Sequence, residues 1–443
     1  MLFVSLALLV AVSYAVPVSV MLPLDVIGYN GAITDLSKLT SQLKALKGIG
    51  VDGVMTDVWW GLVEQQPKQY NWQGYLQLAA LCQQVGLTLQ VVTSFHQCGT
   101  NVGDSFVVPL PQWILSVGKR NTSIWYTDQT GAIDQEYISL GADALPIFEG
   151  RSPVQIYKDF MVAFRSTFAQ YIPNVVNEIQ VGMGPAGELR YPGYQLQFNR
   201  WSYCGVGAFQ NYDANMLQSL KSAAYAAGHP EWSNGGPNSA GYYNSMPYST
   251  PFFQDNNFDN YASPYGRFFL NWYANLLMQH GATILADARA VFGPKMSIAA
   301  KVSGIHWWYN SNNHGAELTS GYYNTNGNDA YLNLAKMFSR TNTTFCFTCL
   351  EMTDSQNCAS SPVELVEQTI LASKTARIGY SGENALELCS GSCNTYGFQQ
   401  IINQASKVQH MHRFTYLRLT DSLTSSGNLQ LFGNFVNSMH GLH

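Results

Sequence analysis

Apolar runs rich in β-branched and aromatic residues recur along the chain, and each ends in polar or charged positions. They are VSVMLPLD (18–25), GVMTDVWW (53–60), LTLQVVTSFH (87–96) and EIQVGMGPAGE (178–188), then MSIAAKVSGIHWW (296–308), FCFTCLEM (345–352), RIGYSGENAL (377–386) and RFTYLRLTD (413–421). Stretches with apolar residues at helical spacing fall between most of them. DLSKLTSQLKALKGIG (35–50) is one, opened by an Asp cap and closed by Gly, and QGYLQLAALCQQVG, PVQIYKDFMVAFRSTFAQY, PVELVEQTILASK and GFQQIINQASKV are others. Strands that alternate with helices pair in parallel, and eight such units predict an α/β fold of the closed (β/α)8 TIM-barrel type. Long segments follow the third run (97–153), the fourth (189–265) and, more briefly, the fifth (309–327). Being rich in Gly, Asn, Tyr and Pro, they predict a small lobe of loops over the carboxyl ends of the strands, within one catalytic domain spanning 16–443.

Composition narrows the partners. Of 443 residues only 12% are charged, so Ser, Thr, Asn, Gln, Tyr and Gly must cover much of the surface. Net charge is −5 and no basic run exceeds two residues, which argues against nucleic acid. The 10 Trp and 26 Tyr suit neutral ring-shaped ligands such as sugars as well as an ordinary core. MLFVSLALLVAVSYA (1–15) reads as a signal peptide: its apolar stretch is too short to span a bilayer, and Ser13-Tyr14-Ala15 supplies small residues at the cleavage positions. A secreted or lumenal protein of the secretory or vacuolar pathway is therefore expected, monomeric and free of the membrane once mature. The sequons at Asn121 and Asn342 fit that reading.

Eight cysteines remain after the leader. Cys82 sits in a helical pattern and reads as a buried free thiol, whereas Cys358, Cys389 and Cys393 lie in loop-like segments where one pair suits a disulfide. Cys346 and Cys349 form a C-x-x-C, but residues three apart on a strand face opposite sides, so no metal is expected there. No calcium loop is apparent, and neither a cofactor nor a required metal is predicted.

Functional residues of such barrels gather at the carboxyl ends of the strands. Here those ends supply Asp57, His96, Glu188, Lys301, His306, Thr348, Glu351, Glu383 and Arg418. A lone Asp or His at a strand end commonly anchors a loop, and a strand-end Arg commonly pairs with a carboxylate; it is their convergence on one rim that points to a site. GPAGELRYP presents Glu188 and GYSGENALE presents Glu383, each directly after Gly. Two carboxyl groups facing one bond suit glycoside hydrolysis. The apolar neighbours Met183, Pro185, Ala186 and Leu189 favour Glu188 as the proton donor, and Glu383, beside Asn384, as the base. Glu178 and Glu351 also lie near strands and remain competitors. SFHQCGTNVGD (94–104) leaves the third run through His96 and turns at Gly99 and Gly103 to Asp104, a composition that suits a mobile lid.

The motifs MLPLDV, GVDGVMTDVWWGLVE, LTLQVVTSFHQCGTNVGD, VGMGPAGELRYPGY, KVSGIHWWY, HGAELTSGYYN, FTCLEMTDS, GENAL and TYLRLTD, in this order from about Val20 to Met439, strongly resemble the β-amylases of glycoside hydrolase family fourteen. The resemblance implies a barrel enzyme that removes β-maltose from the non-reducing ends of α-1,4-glucans with inversion. By motif position Glu188 matches the general acid and Glu383 the general base. Asp57, His96, Asp104, Lys301, His306, Thr348, Asn384, Ala385 and Arg418 match substrate-binding positions, Thr348 on an inner loop that shifts with ligand. One departure lies near the chemistry: Cys346 stands where many members carry Asn, close to the catalytic water. The given sequence ends soon after the eighth run, and a separate starch-binding module like that of some bacterial relatives is not expected. Two competing expectations are a non-catalytic glucan or maltooligosaccharide binder on the same fold and an endo-acting or different-linkage glycosidase.

Overall fold

A computed structural model describes residues 15–99, 101 and 103–442; the predicted leader lies outside them except for its last residue. Ten strands are present among these residues: β1 (Val18–Met21), β2 (Gly53–Trp59), β3 (Thr88–Ser94), β4 (Trp125–Thr127), β5 (Ile133–Ile138), β6 (Val176–Val181), β7 (Ser297–Val302), β8 (Thr344–Phe347), β9 (Tyr380–Glu383) and β10 (Met411–Tyr416). Eight of them close into a barrel in the order β1-β10-β9-β8-β7-β6-β3-β2, every pairing parallel. Each of the eight apolar runs contributes one barrel strand. Burial along them is nearly continuous, as a sheet covered by helices on one side and filled on the other requires.

The helices form where caps and periodicity place them. Asp35 accepts from Lys38 N to open the helix Leu36–Gly48, and Ser152 caps Pro153–Thr167 with Pro at its first turn. Gly86, left-handed at φ 79°, ends Gln73–Val85. Pro362–Ala376 and Thr395–Ala405 occupy two further predicted helical stretches. The longest helix, Pro264–Phe292, follows the long segment after β6 and is capped by Ser263.

The barrel interior carries a polar layer near the amino ends of the strands. Glu178 on β6 accepts from Gln90 Nε2 (2.5 Å) and Ser297 Oγ (2.9 Å) and pairs with His412 Nε2 (3.0 Å), while Thr415 Oγ1 donates to Gln90 Oε1 (3.1 Å). This removes Glu178 from the candidate acids. Burial alone would push its carboxyl up, but the bonds from His412 and Gln90 and the Arg413 charge bring it down to about 2.

The segments after β3 and β6 contain structure the hydrophobic pattern did not announce. β4 and β5 form an antiparallel hairpin outside the barrel, and a helix, Ala214–Ala226, packs near it. Cys204 bonds to Cys358 across 154 residues and so ties the segment after β6 to the loop after β8; Cys389 bonds to Cys393. Of these four, Cys204 was absent from the predicted candidates. Cys82 is a buried free thiol, as its helical setting indicated. The strand at 344–347 ends before Cys349, which turns away toward Gly304 O while Cys346 faces Glu383.

Candidate active site

β6 ends at Val181, and the chain then makes a tight turn through Pro185–Gly187 that delivers Glu188 to the rim. Gly184 is required there, because a Cβ would lie 2.4 Å from Glu188 O and 2.7 Å from Arg190 O. Ala186 takes a left-handed conformation (φ 54°), and Glu188 N donates to Pro185 O (2.9 Å). The strand resumes as a bridge between Glu188 and Lys301 of β7, with Leu189 N donating to Lys301 O (2.9 Å). Arg190 Nε donates to Glu188 Oε2 at 2.8 Å. The apolar surround expected for this carboxyl is not what it meets. Met183, Pro185 and Leu189 are buried, but Leu189 packs outward onto Gly281 of the long helix, and the turn folds the Glu188 side chain back onto the Arg190 guanidinium.

Glu383 is the last residue of β9 and is 1% exposed. Its Oε2 lies 2.6 Å from Lys301 Nζ, and its Oε1 accepts from Cys346 Sγ at 3.4 Å. Register explains the trio, since Lys301 pairs with Cys346 across β7 and β8, and Cys346 with Ser381 across β8 and β9. Burial pulls the Lys301 ammonium down, but the charges of Glu383 and Glu188 outweigh it and hold the lysine above its ordinary range. Burial, reinforced by Glu383, pushes the Cys346 thiol well up.

Asn384 does not turn its side chain to Glu383. Its Nδ2 donates to Leu386 O (2.9 Å) and Leu417 O (2.6 Å), and its Oδ1 accepts from Leu417 N (2.8 Å), so it staples the β9 loop to that after β10. Glu351, the other competitor among the carboxylates, accepts from Ala385 N (2.9 Å) and Leu386 N (2.7 Å) and so anchors the stretch after Glu383. Its carboxyl is raised by burial against those bonds.

The remaining predicted residues lie around this rim. Asp57 on β2 accepts from Ser94 Oγ (2.7 Å), and burial raises its carboxyl against the pull of Arg418. Arg418, two residues beyond β10, donates to Leu22 O (3.0 Å). His96, two residues beyond β3, sets its ring edge on Trp59 with centroids 5.2 Å apart. Its buried Nδ1 has no partner among the described residues, and burial, with Arg190 and Lys301 nearby, lowers it to about 3. Thr348 is buried just after β8. Asp104 Oδ2 accepts from Gly99 N (2.8 Å) and Asn101 N (3.0 Å), folding its own loop. His306, four residues beyond β7, is bonded through Nδ1 to Ser360 Oγ (2.8 Å) beside the Tyr203 and Trp307 rings, and burial lowers it to about 4. Among the described residues no group of three or more His, Cys, Asp or Glu is placed to hold a metal ion.

Arg190 escaped the sequence reading, although its place two positions after Glu188 was visible. Glu136 and Asn101, which tie to the same turn, carried no signal because their partners are remote in sequence.

A (β/α)8 barrel with two buried glutamates at the carboxyl ends of its strands, one fixed by arginine and one by lysine, has the architecture of the glycoside hydrolases. Residues 19–441 match the model of glycosyl hydrolase family 14, and the chain belongs to that family. It is 46% identical over 440 residues to β-amylase 1, chloroplastic, of Arabidopsis thaliana, covering 96% of this chain and 75% of that one. It is likewise 46% identical over 440 residues to the β-amylase of Vigna unguiculata, covering 96% and 87%. Among solved structures, the catalytic domain of β-amylase from Paenibacillus polymyxa superimposes with a TM-score of 0.79 at 31% identity, covering 98% of this chain and all of that one.

Proposed function

We propose that the protein is an exo-acting β-amylase. It hydrolyses the α-1,4 linkages of starch- or glycogen-type glucans from their non-reducing ends and releases β-maltose with inversion. The observation that carries this is the pair Glu188 and Glu383, each in a stretch that resembles a family motif and both buried around Lys301.

In this mechanism Glu188, oriented by Arg190, gives a proton to the glycosidic oxygen. Glu383 takes a proton from a water on the opposite face of the sugar, and the water oxygen bonds to the anomeric carbon as the C–O bond breaks. Inversion requires carboxyls about 6.5–9.5 Å apart, room for that water. Asp57, His96, Asp104, Lys301, His306, Thr348 and Arg418 supply hydroxyl contacts, as do the main-chain groups of Asn384 and Ala385. Asn384 serves through its backbone because its amide is already engaged. The Nδ1 of neutral His96, without a partner among the described residues, suits a sugar hydroxyl. No bound metal or cofactor is required.

Proton NMR of the first product decides the stereochemistry: fresh β-maltose is expected, and fresh α-maltose overturns the assignment. A reducing-sugar assay that found no turnover would leave the non-catalytic binder standing.

The mature protein is further proposed to be a secreted or lumenal monomer of one barrel domain. The leader-like 1–15 and the two disulfides support export to an oxidising compartment. Amino-terminal sequencing of the exported protein should begin just after Ala15, and gel filtration should give the mass of one chain.

A further inference from the structure

Glu136 belongs to β5, in the hairpin outside the barrel, yet it is 3% exposed and its Oε1 is occupied twice. Ala186 N donates to it at 2.9 Å and Asn101 Nδ2 at 2.6 Å. Neither donor is part of the hairpin: Ala186 is in the turn before Glu188, and Asn101 is in the segment after β3. Two routes therefore run from one oxygen to Glu188. The first is the backbone, through the left-handed Ala186 two residues upstream. The second passes through Asn101, whose Oδ1 accepts from Arg190 Nη2 (3.2 Å), and then through Arg190 Nε to Glu188 Oε2 (2.8 Å). Glu136 O also accepts from Gln97 N (2.7 Å), so the hairpin grips the segment after β3 twice.

A residue in a sparsely populated conformation persists only where its surroundings hold it, and Glu136 is what receives the Ala186 N–H. A buried arginine keeps one geometry when each of its nitrogens is engaged: Nε donates to Glu188, Nη1 to Tyr191 O (3.3 Å) and Nη2 to Asn101, the one of these partners that Glu136 holds. Burial raises the Glu136 carboxyl, with Asp134 adding to the effect and Arg190 opposing it, as a group sealed among these partners should show.

We infer that Glu136 is a positioning residue for the proton donor, setting the Ala186 turn directly and the Arg190–Glu188 pair through Asn101. This rests on the reading of Glu188 as the general acid. The role predicts a bias that general loosening of the fold would not produce. Turnover of a glucan needs a well-aimed proton, whereas α-maltosyl fluoride expels fluoride with little proton assistance.

The experiment compares kcat on maltoheptaose and on α-maltosyl fluoride for Glu136→Ala, Glu136→Gln and Asn101→Ala. In Glu136→Ala the glucan rate should fall at least about tenfold while the fluoride rate changes less than about twofold. Glu136→Gln keeps an oxygen acceptor for Ala186 N and should recover most of the glucan rate. Equal losses on both substrates, no loss on either, or a Gln variant as poor as Ala would overturn the inference. Should Glu136→Ala fail to fold, Asn101→Ala, which cuts only the arginine route, should show a smaller loss with the same bias, and an unbiased loss overturns the inference. Glu188→Gln tests the underlying reading separately: wild-type turnover of maltoheptaose in that variant would remove Glu188 as the acid, whatever the Glu136 variants do.

Discussion

Lys301 Nζ sits 2.6 Å from Glu383 Oε2, and the main chain of the same lysine carries the Glu188 segment through the bond from Leu189 N to Lys301 O. One residue thus joins the two glutamates, through its side chain to one and its backbone to the other. Replacement by methionine keeps the aliphatic stem and the backbone but strips Glu383, 1% exposed, of its cation. Breaking a buried ion pair by removing one partner costs about 3–5 kcal/mol. Lys301→Met should therefore melt well below the wild type and lose at least about a hundredfold in kcat on maltoheptaose. An unchanged Tm would show that the pair contributes little.

The two glutamates themselves should behave alike on glucan. General acid–base groups contribute about 10²–10⁴-fold each, so Glu188→Gln and Glu383→Gln should each cut kcat by about a thousandfold while oligosaccharide binding persists. Calorimetric titration of inactive variants with maltooligosaccharide checks the second half. Loss of binding together with loss of turnover would mean that the substitution had damaged the site and not only its proton chemistry.

The barrel was legible because each strand is a short apolar β-rich run, and parallel strands in a covered sheet need no alternation. The rim was legible because strand ends are local in sequence. What escaped was set by remote partners. The hairpin strand Ile133–Ile138 alternates only weakly and is stabilised by what it packs on, and Asn384 beside Glu383 proved to be a staple between loops. The apolar letters around Glu188 misled for a geometric reason: the turn at Gly184 sends Leu189 outward to the long helix while Arg190 comes back to the carboxylate.

Cys346 is the donor to Glu383 Oε1, in the position where the family pattern led us to expect asparagine. Serine keeps a donor of similar size, whereas valine fills the space without one. A buried acceptor left unsatisfied costs about 1–3 kcal/mol. Cys346→Ser should retain turnover within about threefold, while Cys346→Val should lose about tenfold and melt lower. Similar activity in both would show that the thiol merely fills volume.

His306 makes stability depend on pH in a defined direction. Burial lowers it to about 4, against about 6.5 in an unfolded chain. Between those values the unfolded state takes up a proton that the folded state refuses. The stabilisation is complete above pH 6.5 and is lost as pH falls toward 4. By pH 5 the loss amounts to about 2 kcal/mol. His306→Gln removes this proton uptake, so the stability gap between wild type and variant should narrow by about that amount from pH 7 to pH 5 in urea melts. A constant gap would mean that His306 titrates normally in the folded protein.

Gly184 offers the sharpest test of the turn that aims Glu188. Its φ of 169° is open to any residue, so the constraint is space alone. A Cβ would meet Glu188 O at 2.4 Å and Arg190 O at 2.7 Å, and both atoms are main chain, with no rotamer to yield. Alanine must then push the backbone of Glu188 and Arg190 away, which moves the carboxylate and the guanidinium that fixes it. Overpacking of this kind costs about 1–3 kcal/mol, and a displacement near 1 Å at a reacting group costs about a hundredfold in rate. Gly427→Ala is the control: it lies in the helix Ser426–His440, a Cβ there meets nothing within 4 Å, and the change should be neutral or slightly stabilising. Gly184→Ala should thus lose about a hundredfold in kcat with KM nearly unchanged and also melt lower, while Gly427→Ala loses neither, when the two variants are compared on maltoheptaose and by thermal melts. If Gly184→Ala turns over like the control, the turn yields more easily than its close contacts imply, and the aim of Glu188 must be set from the Arg190 side.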